Sequence, residues 1–513
     1  LGYIASDIVA RYKKHKGFNV LHPMGYDSFG LPAEQYAIQT GQHPEITTEK
    51  NIKRYRQQLD RLGFCFDWER EIRTSDPKFY KWTQWMFKKL FNSWYDTNQN
   101  SARKIVDLIS LFEKNGTENV QASQTKKINF TKQEWESYSE NKKSDVLMNF
   151  RIAYLSESMV NWCPELGTVL ANDEVKEGLS ERGGFPVVQK SMMQWSLRIS
   201  AYSQRLLDGL DKVDFSSSLK EQQKNWIGKS EGALITFDIE NKKEKIKVFT
   251  TRADTIFGVS FLTLAPELKI LEEIVTQEQK IEVLNYIEQT TNKTERERQS
   301  SQDESSGVFT GTFAIHPLSN KKLPIWISEY VLSGYGTGAV MAVPAGDQRD
   351  HDFAKKFQLE IPDIFKNIDT SESAYTEKNI IFKNSSFVDN CNHIEATEKV
   401  LNELIKNKCA RKKINYRLRD AIFSRQRYWG EPFPVYYEND IPKLMEEDLV
   451  KLPKVDQYLP TASGEPPLGR AKKEDWEIFR GEKMELNTMP GWAGSSWYFL
   501  RFMDPKNDEE FAA

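Results

Sequence analysis

The chain has 513 residues, of which 39% are hydrophobic and 28% are charged, and its formal net charge is −3. This balance is typical of a globular chain of several domains and excludes a disordered or collagen-like one. No apolar run approaches the roughly 18 residues that a membrane span requires, and with so small a net charge any contact with nucleic acid must come from local basic patches.

The two ends of the chain and its cysteines give two further expectations, one about completeness and one about location. The chain starts at Leu1, and its last residues contain no stop signal, so we expect both ends to be cuts in a longer protein. The opening LGYIASDIVARYKKHKG lacks the order of charged, apolar and small residues that marks a signal peptide. Four widely spaced cysteines without a CxxC pair favour a reducing, cytoplasmic location; they are Cys65, Cys163, Cys391 and Cys409.

Residues 1–96 predict the first part of an α/β domain. Residues 3–16 have helical spacing, with apolar residues on one face and basic residues late. The β-branched run FNVLHPM that follows predicts a strand. The loop GYDSFGLPAE then leads to a helix that we expect near residues 47–63. This order of helix, strand and glycine-bearing loop favours a parallel α/β layer.

The composition changes several times after this layer. Residues 97–155 are rich in Asn, Ser, Thr, Lys and Glu, which predicts a helical polar surface insertion without chemistry of its own. Residues 156–227 combine the irregular NWCPELGTVLANDEV with a helical stretch. Residues 228–413 alternate β-rich runs with turns and predict a compact strand-rich insert. Residues 414–513 return to α/β material, so one domain is predicted to interrupt another.

A first candidate site is the loop GYDSFGLPAEQYA. Gly25 and Gly30 allow the backbone to turn and to approach a ligand. Asp27 supplies a carboxylate for an amino group, and Phe29 supplies apolar wall. The same letters also fit a strand-to-helix loop with a capping aspartate, and this stretch alone does not decide between the two.

A second candidate site is the basic, aromatic run SRQRYWGEPFP. Arg425 and Arg427, followed by an aromatic pair, suit phosphate and a flat base. The preceding residues are also densely basic, which suits a polyanion, although an ordinary solvated face has similar composition. These basic residues are Lys406, Lys408, Arg411, Lys412, Lys413, Arg417 and Arg419, and Asp420 is the one acid among them.

Together, these segments resemble the class I aminoacyl-tRNA synthetases, and among them the leucine enzyme of bacterial type. The segments occur in the family's order and cover most of the chain: GYDSFGLPAE, NWCPELGTVLANDEV, NWIGKSEG, TTRADT, GTGAVMAVPAGDQRDHDFA, NYRLRD, SRQRYWG and GSSWYFLRF. The isoleucine enzyme has a histidine at the position of Phe29, and the valine enzyme lacks GLPAE. The resemblance implies a Rossmann-type catalytic domain that is interrupted by an inserted β-rich α/β editing domain.

For synthesis, the resemblance implies a parent enzyme that attaches leucine to tRNA(Leu) with ATP and Mg²⁺. Asp27, Phe29 and Tyr498 would bind leucine, and Arg425 and Arg427 would lie near tRNA and ATP. The family's HxGH and KMSKS sequences are absent from these 513 residues. We therefore expect this chain to have lost synthesis while it keeps editing. A monomer without membrane contact is expected.

For editing, the physical need is plain, since an apolar pocket gains only about 1–3 kcal/mol per methylene and a second hydrolytic site must reject leucine's near-isosteres. The resemblance places that site at Thr250, Thr251, Arg252, Thr255, Asp347 and Asp350, with Tyr335, Met341 and Val343 as pocket wall. Asp350 would hold the substrate's α-ammonium group, Thr255 would exclude leucine, and Arg252 would contact the phosphate of the terminal adenosine. The family's frequent Gly-His before DQRD is Ala345-Gly346 here, which puts a helper histidine in doubt.

Family members with zinc carry cysteine pairs on both sides of the TVLANEQV segment. Here Cys163 alone remains of the first pair, and residues 179–184 offer neither thiol nor imidazole. One cysteine cannot form a closed tetrahedral site, so we expect this module to bind no zinc. Two alternative functions stay open: a stand-alone editing hydrolase, and a non-catalytic tRNA-binding protein derived from a synthetase. The leucine-pocket framework that the chain retains disfavours the first.

Overall fold

The computed structural model describes residues 2–512 apart from 172–173, 177, 292–305, 333–335, 448, 456–457, 459–464, 473, 475, 477 and 480. The chain divides into two units, Leu1–Tyr202 with Asp420–Ala513, and Ser203–Arg419. The second unit therefore interrupts the first in sequence, as the motif order predicted. The expected editing insert, 228–413, lies within the second unit.

The first unit is a mixed α/β unit. Its helices are Gly2–His15, Leu31–Thr40, Pro44–Leu62, Pro77–Phe91, Ile105–Asn115, Lys132–Ser137, Glu140–Met148, Trp492–Ser495 and Tyr498–Arg501, with 3-10 turns at Trp68–Arg70, Ile199–Tyr202 and Pro467–Arg470. Its strands are Gly25–Tyr26, Ile72–Arg73, Ser93–Asp96, Ser101–Lys104, Ala153–Cys163, Thr168–Leu170, Val175–Lys176, Leu179–Ser180, Val188–Leu197, Ala421–Ile422, Val435–Glu438, Ile441–Leu444, Ile478–Phe479 and Glu482–Met484.

The N-terminal helix is confirmed, but the strand predicted at FNVLHPM is wrong. The strand is Gly25–Tyr26, which pairs in parallel with Ile72–Arg73. Pro23 has no amide hydrogen and cannot donate to a ladder, so pairing begins only after it. The effect is that the loop carrying Asp27 leaves directly from the end of a parallel strand.

Residues 97–155 differ from the predicted polar surface insertion. Ser101–Lys104 pairs with the preceding strand Ser93–Asp96 in a hairpin, and three helices follow. Together these elements enclose a hydrophobic core. The core is built from widely spaced side chains, among them Trp94, Phe112, Phe130, Trp135 and Phe150. Because these residues are far apart in sequence, the average composition conceals them. The expected helices are present, but they enclose a core and do not form a polar surface insertion.

The second unit is built on a seven-stranded sheet. Its strands are Ser230–Ile239, Lys245–Thr250, Phe261–Leu264, Gly307–Ile315, Lys322–Ser328, Ala339–Ala342 and Ala410–Asn415. Its helices are Ser203–Gly209, Ser217–Ile227, Leu271–Ile274, Lys280–Thr291, Gln348–Lys356 and His393–Lys406, with 3-10 turns at Leu210–Lys212, Ala253–Gly258 and Ser386–Val388. Among the described strands of this sheet, every pair is antiparallel except Phe261–Leu264 with Lys322–Ser328.

The sheet of the second unit curls. Lys245–Thr250 and Ala339–Ala342 stand at opposite ends of the hydrogen-bonded strand order, yet they lie against each other in space. One large hydrophobic cluster fills the interior and includes Ile235, Val248 and Met341. Curling therefore joins two segments that are about 90 residues apart in sequence. Across the described ranges, no helix is both long and apolar enough to cross a membrane.

Candidate functional site

The first wall of the candidate site is the end of Lys245–Thr250, which we call the threonine strand. The backbone N–H of Arg252 donates to Thr250 Oγ1 at 3.0 Å, and the Thr255 hydroxyl donates to the carbonyl oxygen of Arg252 at 2.9 Å. Thr255 is only 2% exposed, whereas Thr251 is exposed. The TTRADT segment is thus a hydrogen-bonded turn that fixes the Thr255 side chain.

This turn packs tightly against the neighbouring strand. A Cβ atom added at Gly232 would overlap the carbonyl oxygen of Thr250. Gly232 pairs with Lys413 on its other side, so it cannot move away easily. The end of the threonine strand therefore depends on a residue without a side chain at position 232.

The second wall is the segment that runs from Met341 to Asp350. Met341 and Val343 are buried in the same cluster as Ala253 and Ile256 of the TTRADT turn. Val343 is also close enough to Gly258 that an added Cβ there would lie 3.1 Å from its Cγ1. The structure therefore brings the two predicted pocket segments together. Tyr335, which was predicted to join them, lies outside the described residues.

Asp350 occupies the interior of this wall, near the start of the helix Gln348–Lys356. It is only 4% exposed, and its two oxygens accept hydrogen bonds from the Tyr330 hydroxyl at 2.9 Å and from the Val343 N–H at 2.8 Å. Burial, with a further contribution from Asp347, raises the pKa of Asp350 to about 7. Asp347 itself caps the helix by accepting from the N–H groups of Arg349 and Asp350.

Three residues of this region were missed by the sequence analysis. Tyr330 bonds both Asp350 and Thr263. Asp254 is fully buried, binds Arg252 through two guanidinium nitrogens and accepts from His393. Asp254 stood inside the quoted TTRADT motif and could have been included, whereas no local signal indicates Tyr330 or His393.

The first unit contains a separate cleft with a volume of about 1280 Å³. Asp27 and Tyr498 line it, together with Gly25, where an added Cβ would lie 3.0 Å from the Tyr498 ring. Asp27 lies at the surface of the cleft, where partial loss of hydration raises the pKa of its carboxyl. Hydrogen bonds from Ser495 and Thr74 oppose that rise. Phe29 does not line this cleft; it is buried against Tyr80 and Trp429.

Behind the cleft, the GLPAE and RYWG segments are tied by a buried carboxylate. Glu34 accepts from the backbone N–H groups of Tyr428 at 3.0 Å and Trp429 at 2.7 Å. Burial raises the pKa of Glu34 to about 7. The Trp429 indole donates to the carbonyl oxygen of Ser28. These bonds hold the loop that carries Asp27 against a segment almost 400 residues away.

The interpretation of Arg425 and Arg427 as a phosphate-facing pair is corrected by their burial. They are 6% and 7% exposed. Arg425 donates to the carbonyl oxygens of Ile422 and Ser424, and burial lowers the pKa of Arg427, whose guanidinium lies 3.7 Å from Glu174. The density of charges in a sequence does not show which of them are removed from water. Here both arginines are buried, and the partners found for them belong to the protein itself.

The remaining basic residues present the charged face that the sequence indicated. In the second unit, the exposed members are Lys406, Lys408, Arg411, Lys412, Arg417 and Arg419. Several of them lie on the strand Ala410–Asn415 or beside it. An exposed basic strand of this kind suits a phosphate backbone.

The fit of the zinc module to a metal is poor. Cys163 is fully buried in a small apolar cluster with Leu170, Val175 and Val187. Its hydrogen-bonding neighbours are the backbone groups of Leu166 and Glu165 and the Ser180 hydroxyl, none of which is a typical zinc ligand. Among the described residues of this module, Cys163 belongs to no group of three metal-ligating side chains, and its thiol lies in apolar packing.

Within the described ranges, one other group has metal-ligating atoms within 4.8 Å of one another: Asp7, His22 and Cys65. Its carboxylate is already engaged, because Asp7 accepts from the Cys65 N–H and from Arg11, and these contacts lower the pKa of Asp7 to about 2. A cation here would have to displace the Arg11 guanidinium.

Comparison with known families separates the chain into matching parts. A model described as "Leucyl-tRNA synthetase, editing domain" matches residues 224–405, and a model described as "tRNA synthetases class I (M)" matches residues 1–103. The first match contains both walls of the candidate site, and the second contains the loop with Asp27.

Individual relatives match the whole chain. A leucine–tRNA ligase of Christiangramia forsetii is 54% identical over 100% of this chain and 58% of the relative, and one of Flavobacterium psychrophilum is 54% identical over 100% and 57%. The crystal structure of the ternary complex of Agrobacterium radiobacter K84 agnB2 LeuRS, tRNA and LeuAMS matches with a TM-score of 0.70 and 29% identity, over 99% of this chain and 53% of that one. The chain thus spans a little over half the length of these relatives.

Proposed function

The chain belongs to the leucyl-tRNA synthetase family, and from this premise we propose that its second unit hydrolyses mis-aminoacylated tRNA(Leu). The main support for this proposal is the curled sheet, which brings the threonine strand beside the Met341–Asp350 wall. A pocket needs two walls, and these segments supply hydroxyls from one and a carboxylate from the other.

Asp350 anchors the ammonium group of the aminoacyl ester. A carboxylate has about four lone-pair sites, and the bonds from Tyr330 and Val343 use two of them. The remaining lone pairs accept from a substrate cation, in a charge-assisted bond that a buried position strengthens. Tyr330 and Val343 fix the orientation of the carboxylate before the substrate arrives.

Thr255 excludes the correct product. Its hydroxyl is held by the carbonyl oxygen of Arg252, so the methyl group cannot rotate out of the way. A fixed methyl group acts as a repulsive element against the branched side chain of leucine and spares linear norvaline. Thr250 and Thr251 supply hydroxyls for the attacking water or the ester oxygen, and Met341 and Val343 supply the apolar surface.

We propose that the first unit supplies part of the framework on which the longer protein activates leucine. Asp27 and Tyr498 line a cleft of about 1280 Å³, larger than a single amino acid requires, so a nucleotide fits beside leucine. Mg²⁺ would arrive with the phosphates of ATP, since this ion usually keeps few protein ligands. These 513 residues hold neither HxGH nor KMSKS, and by themselves they are proposed not to activate leucine.

The partners of the chain follow from the same proposal: tRNA(Leu), leucine and ATP, in a monomeric cytoplasmic protein. The exposed basic face around Ala410–Asn415 supports the RNA contact. A stand-alone hydrolase would not need the cleft that Asp27 and Tyr498 line, and a non-catalytic RNA binder would not need the buried Asp350.

The test is deacylation by the 513-residue chain. Norvalyl-tRNA(Leu) and leucyl-tRNA(Leu) are incubated in parallel with catalytic amounts of protein, and the ester that remains is measured with time. We expect norvalyl-tRNA(Leu) to be hydrolysed and leucyl-tRNA(Leu) to be spared. Tight binding of both tRNAs without acceleration over buffer would instead establish the non-catalytic RNA binder.

A further inference from the structure

We propose that His393 is a substrate-binding residue of the editing site and that, together with Arg252, it binds the phosphate of the 3′-terminal nucleotide of tRNA. The role given to His393 rests on the editing function proposed above. It adds a residue that lies about 140 positions from the threonine strand in sequence and belongs to none of the motifs that carried the resemblance.

The first step is the shared carboxylate of Asp254. Asp254 is fully buried and receives the Arg252 guanidinium through Nε at 3.1 and 3.2 Å and through Nη2 at 3.1 Å. His393 Nδ1 lies 2.8 Å from the same carboxylate. A carboxylate paired with a guanidinium only accepts, so Nδ1 carries the hydrogen. One buried anion thus orients two side chains from separate elements.

The second step concerns the side-chain nitrogens of Arg252 and His393 that are not bonded to Asp254. Arg252 Nη1 and His393 Nε2 have no hydrogen-bond partner among the described residues, and each side chain remains 20% exposed. Both side chains are therefore fixed at their inner end and open at their outer end. Carboxylates that orient a histidine through one ring nitrogen leave the other nitrogen for a ligand.

The third step identifies the ligand. Arg252 belongs to the same turn as Thr250 and Thr255, so the Arg252–His393 pair lies beside the end of the threonine strand. A planar guanidinium beside an imidazolium, in which Nδ1–H donates to Asp254 and Nε2–H can donate outward, is suited to an oxyanion. About half to two-thirds of protein–DNA hydrogen bonds go to phosphate oxygens and sugars. The terminal adenylate is the part of tRNA that carries the amino acid, and its phosphate is the nearest anion to the ester.

The position of His393 favours this role over a purely structural one. His393 is the first residue of the helix His393–Lys406, directly after the capping residue Asn392, which already satisfies the N–H groups of Ile394 and Glu395. The helix therefore does not need the imidazole for its cap. Glu398, on the same helix and exposed, supplies a matched control position.

The first test reads the imidazole itself. The chain has six histidines, so ¹³C-histidine NMR spectra are resolvable, and His393→Asn assigns the signal by its loss. We expect AMP to shift the His393 signal in a saturable way and adenosine to leave it unchanged, while buried His351 in the same unit stays fixed. An unmoved His393 signal with AMP, or equal movement with adenosine, overturns the proposal.

The second test separates binding from orientation. Asn places an amide nitrogen near Nδ1 and keeps the bond to Asp254, but it lacks Nε2. In deacylation of norvalyl-tRNA(Leu) by the full chain, His393→Asn should raise KM roughly tenfold, as loss of a charge-assisted hydrogen bond does, with kcat retained. Glu398→Gln should match wild type. An unchanged KM in His393→Asn refutes the role. If wild type is inactive while AMP still moves the His393 signal, the editing proposal fails and the phosphate subsite stands.

Discussion

The hydroxyl of Tyr330 donates to Oδ1 of Asp350 at 2.9 Å, deep inside the second unit. Burial raises the pKa of Tyr330 well above its usual range and that of Asp350 to about 7. The proposed ammonium anchor is therefore held in place by a group that cannot ionise at neutral pH. Because its pKa is about 7, the charge of Asp350 changes with pH near neutrality.

Editing should consequently lose activity as pH falls through about 7, because protonated Asp350 cannot pair with an ammonium group. Asp350→Ala should lose roughly 100-fold in deacylation, as a misplaced ester does. Asp350→Asn keeps the shape and should be nearly as inactive. Deacylation of norvalyl-tRNA(Leu) between pH 5.5 and 8.5 measures both effects, and a fully active Asp350→Ala variant would remove the anchor.

The same raised pKa predicts an opposite effect on stability. The folded state binds the Asp350 proton more tightly than the unfolded state does, so this proton adds to the free energy of unfolding. Its contribution is fully present below the usual carboxyl pKa and is lost as pH rises through about 7. Asp350→Asn has no proton to lose, and Tyr330 can donate to Thr263 instead. Denaturant unfolding should show the variant gaining stability relative to wild type between pH 5 and pH 8; a constant difference would contradict this.

Thr255 variants should separate bulk from hydrogen bonding. Thr255→Ala and Thr255→Ser both remove the methyl group and should gain roughly tenfold or more in hydrolysis of leucyl-tRNA(Leu), the range expected for a methylene in a pocket. Thr255→Val keeps the bulk and should still spare leucine, although it removes the hydroxyl bond to the Arg252 carbonyl, which keeps only its bond from the backbone N–H of residue 255. Leucyl-tRNA deacylation by the three variants decides this. If Thr255→Ala spares leucine while norvaline is hydrolysed, Thr255 does not exclude leucine.

Gly232→Ala should damage the threonine strand from behind. The added methyl group overlaps the Thr250 carbonyl oxygen, and overpacking of this kind costs about 1–3 kcal/mol. Urea unfolding should show the loss, and norvalyl-tRNA deacylation should fall with it. Gly209→Ala, where no atom lies within 4 Å of the new methyl group, is the control. Equal stability of the two variants would show that the strand end relaxes freely.

Metal analysis should find well under one zinc per chain in chelator-washed protein, because Cys163 is packed in an apolar cluster and, among the described residues, belongs to no group of three metal-ligating side chains. Stoichiometric zinc would overturn this expectation. In that event Cys65→Ser and Cys163→Ser locate the ion, the first variant reporting on Asp7, His22 and Cys65.

Leucine-dependent pyrophosphate exchange should be absent from the 513-residue chain, since HxGH and KMSKS stabilise the transferring nucleotidyl group in this family and neither is within these residues. The leucine–tRNA ligase of Christiangramia forsetii, 54% identical, is the positive control. Robust exchange by the chain would show that Asp27 and the cleft suffice.

The sequence by itself determined many of the local elements and the resemblance to the family, although it placed the first strand too early. The helices Gly2–His15 and Pro44–Leu62 follow from periodicity, and the strands of the second unit follow from β-rich runs between turns. The threonine turn is also local, since its hydrogen bonds join residues no more than three positions apart. Such features depend on backbone preferences and nearest neighbours, which a sequence displays directly.

Tertiary structure alone decided which side chains are desolvated and which distant ones meet. Arg425 and Arg427 read as an exposed basic pair but are buried, and the polar run 97–155 hides an aromatic core. The curled sheet joins the threonine strand to the Met341–Asp350 wall, and packing of the helix His393–Lys406 brings His393 to Asp254. Burial and pairing over such separations depend on the packing of the whole unit, so no window of sequence contains them.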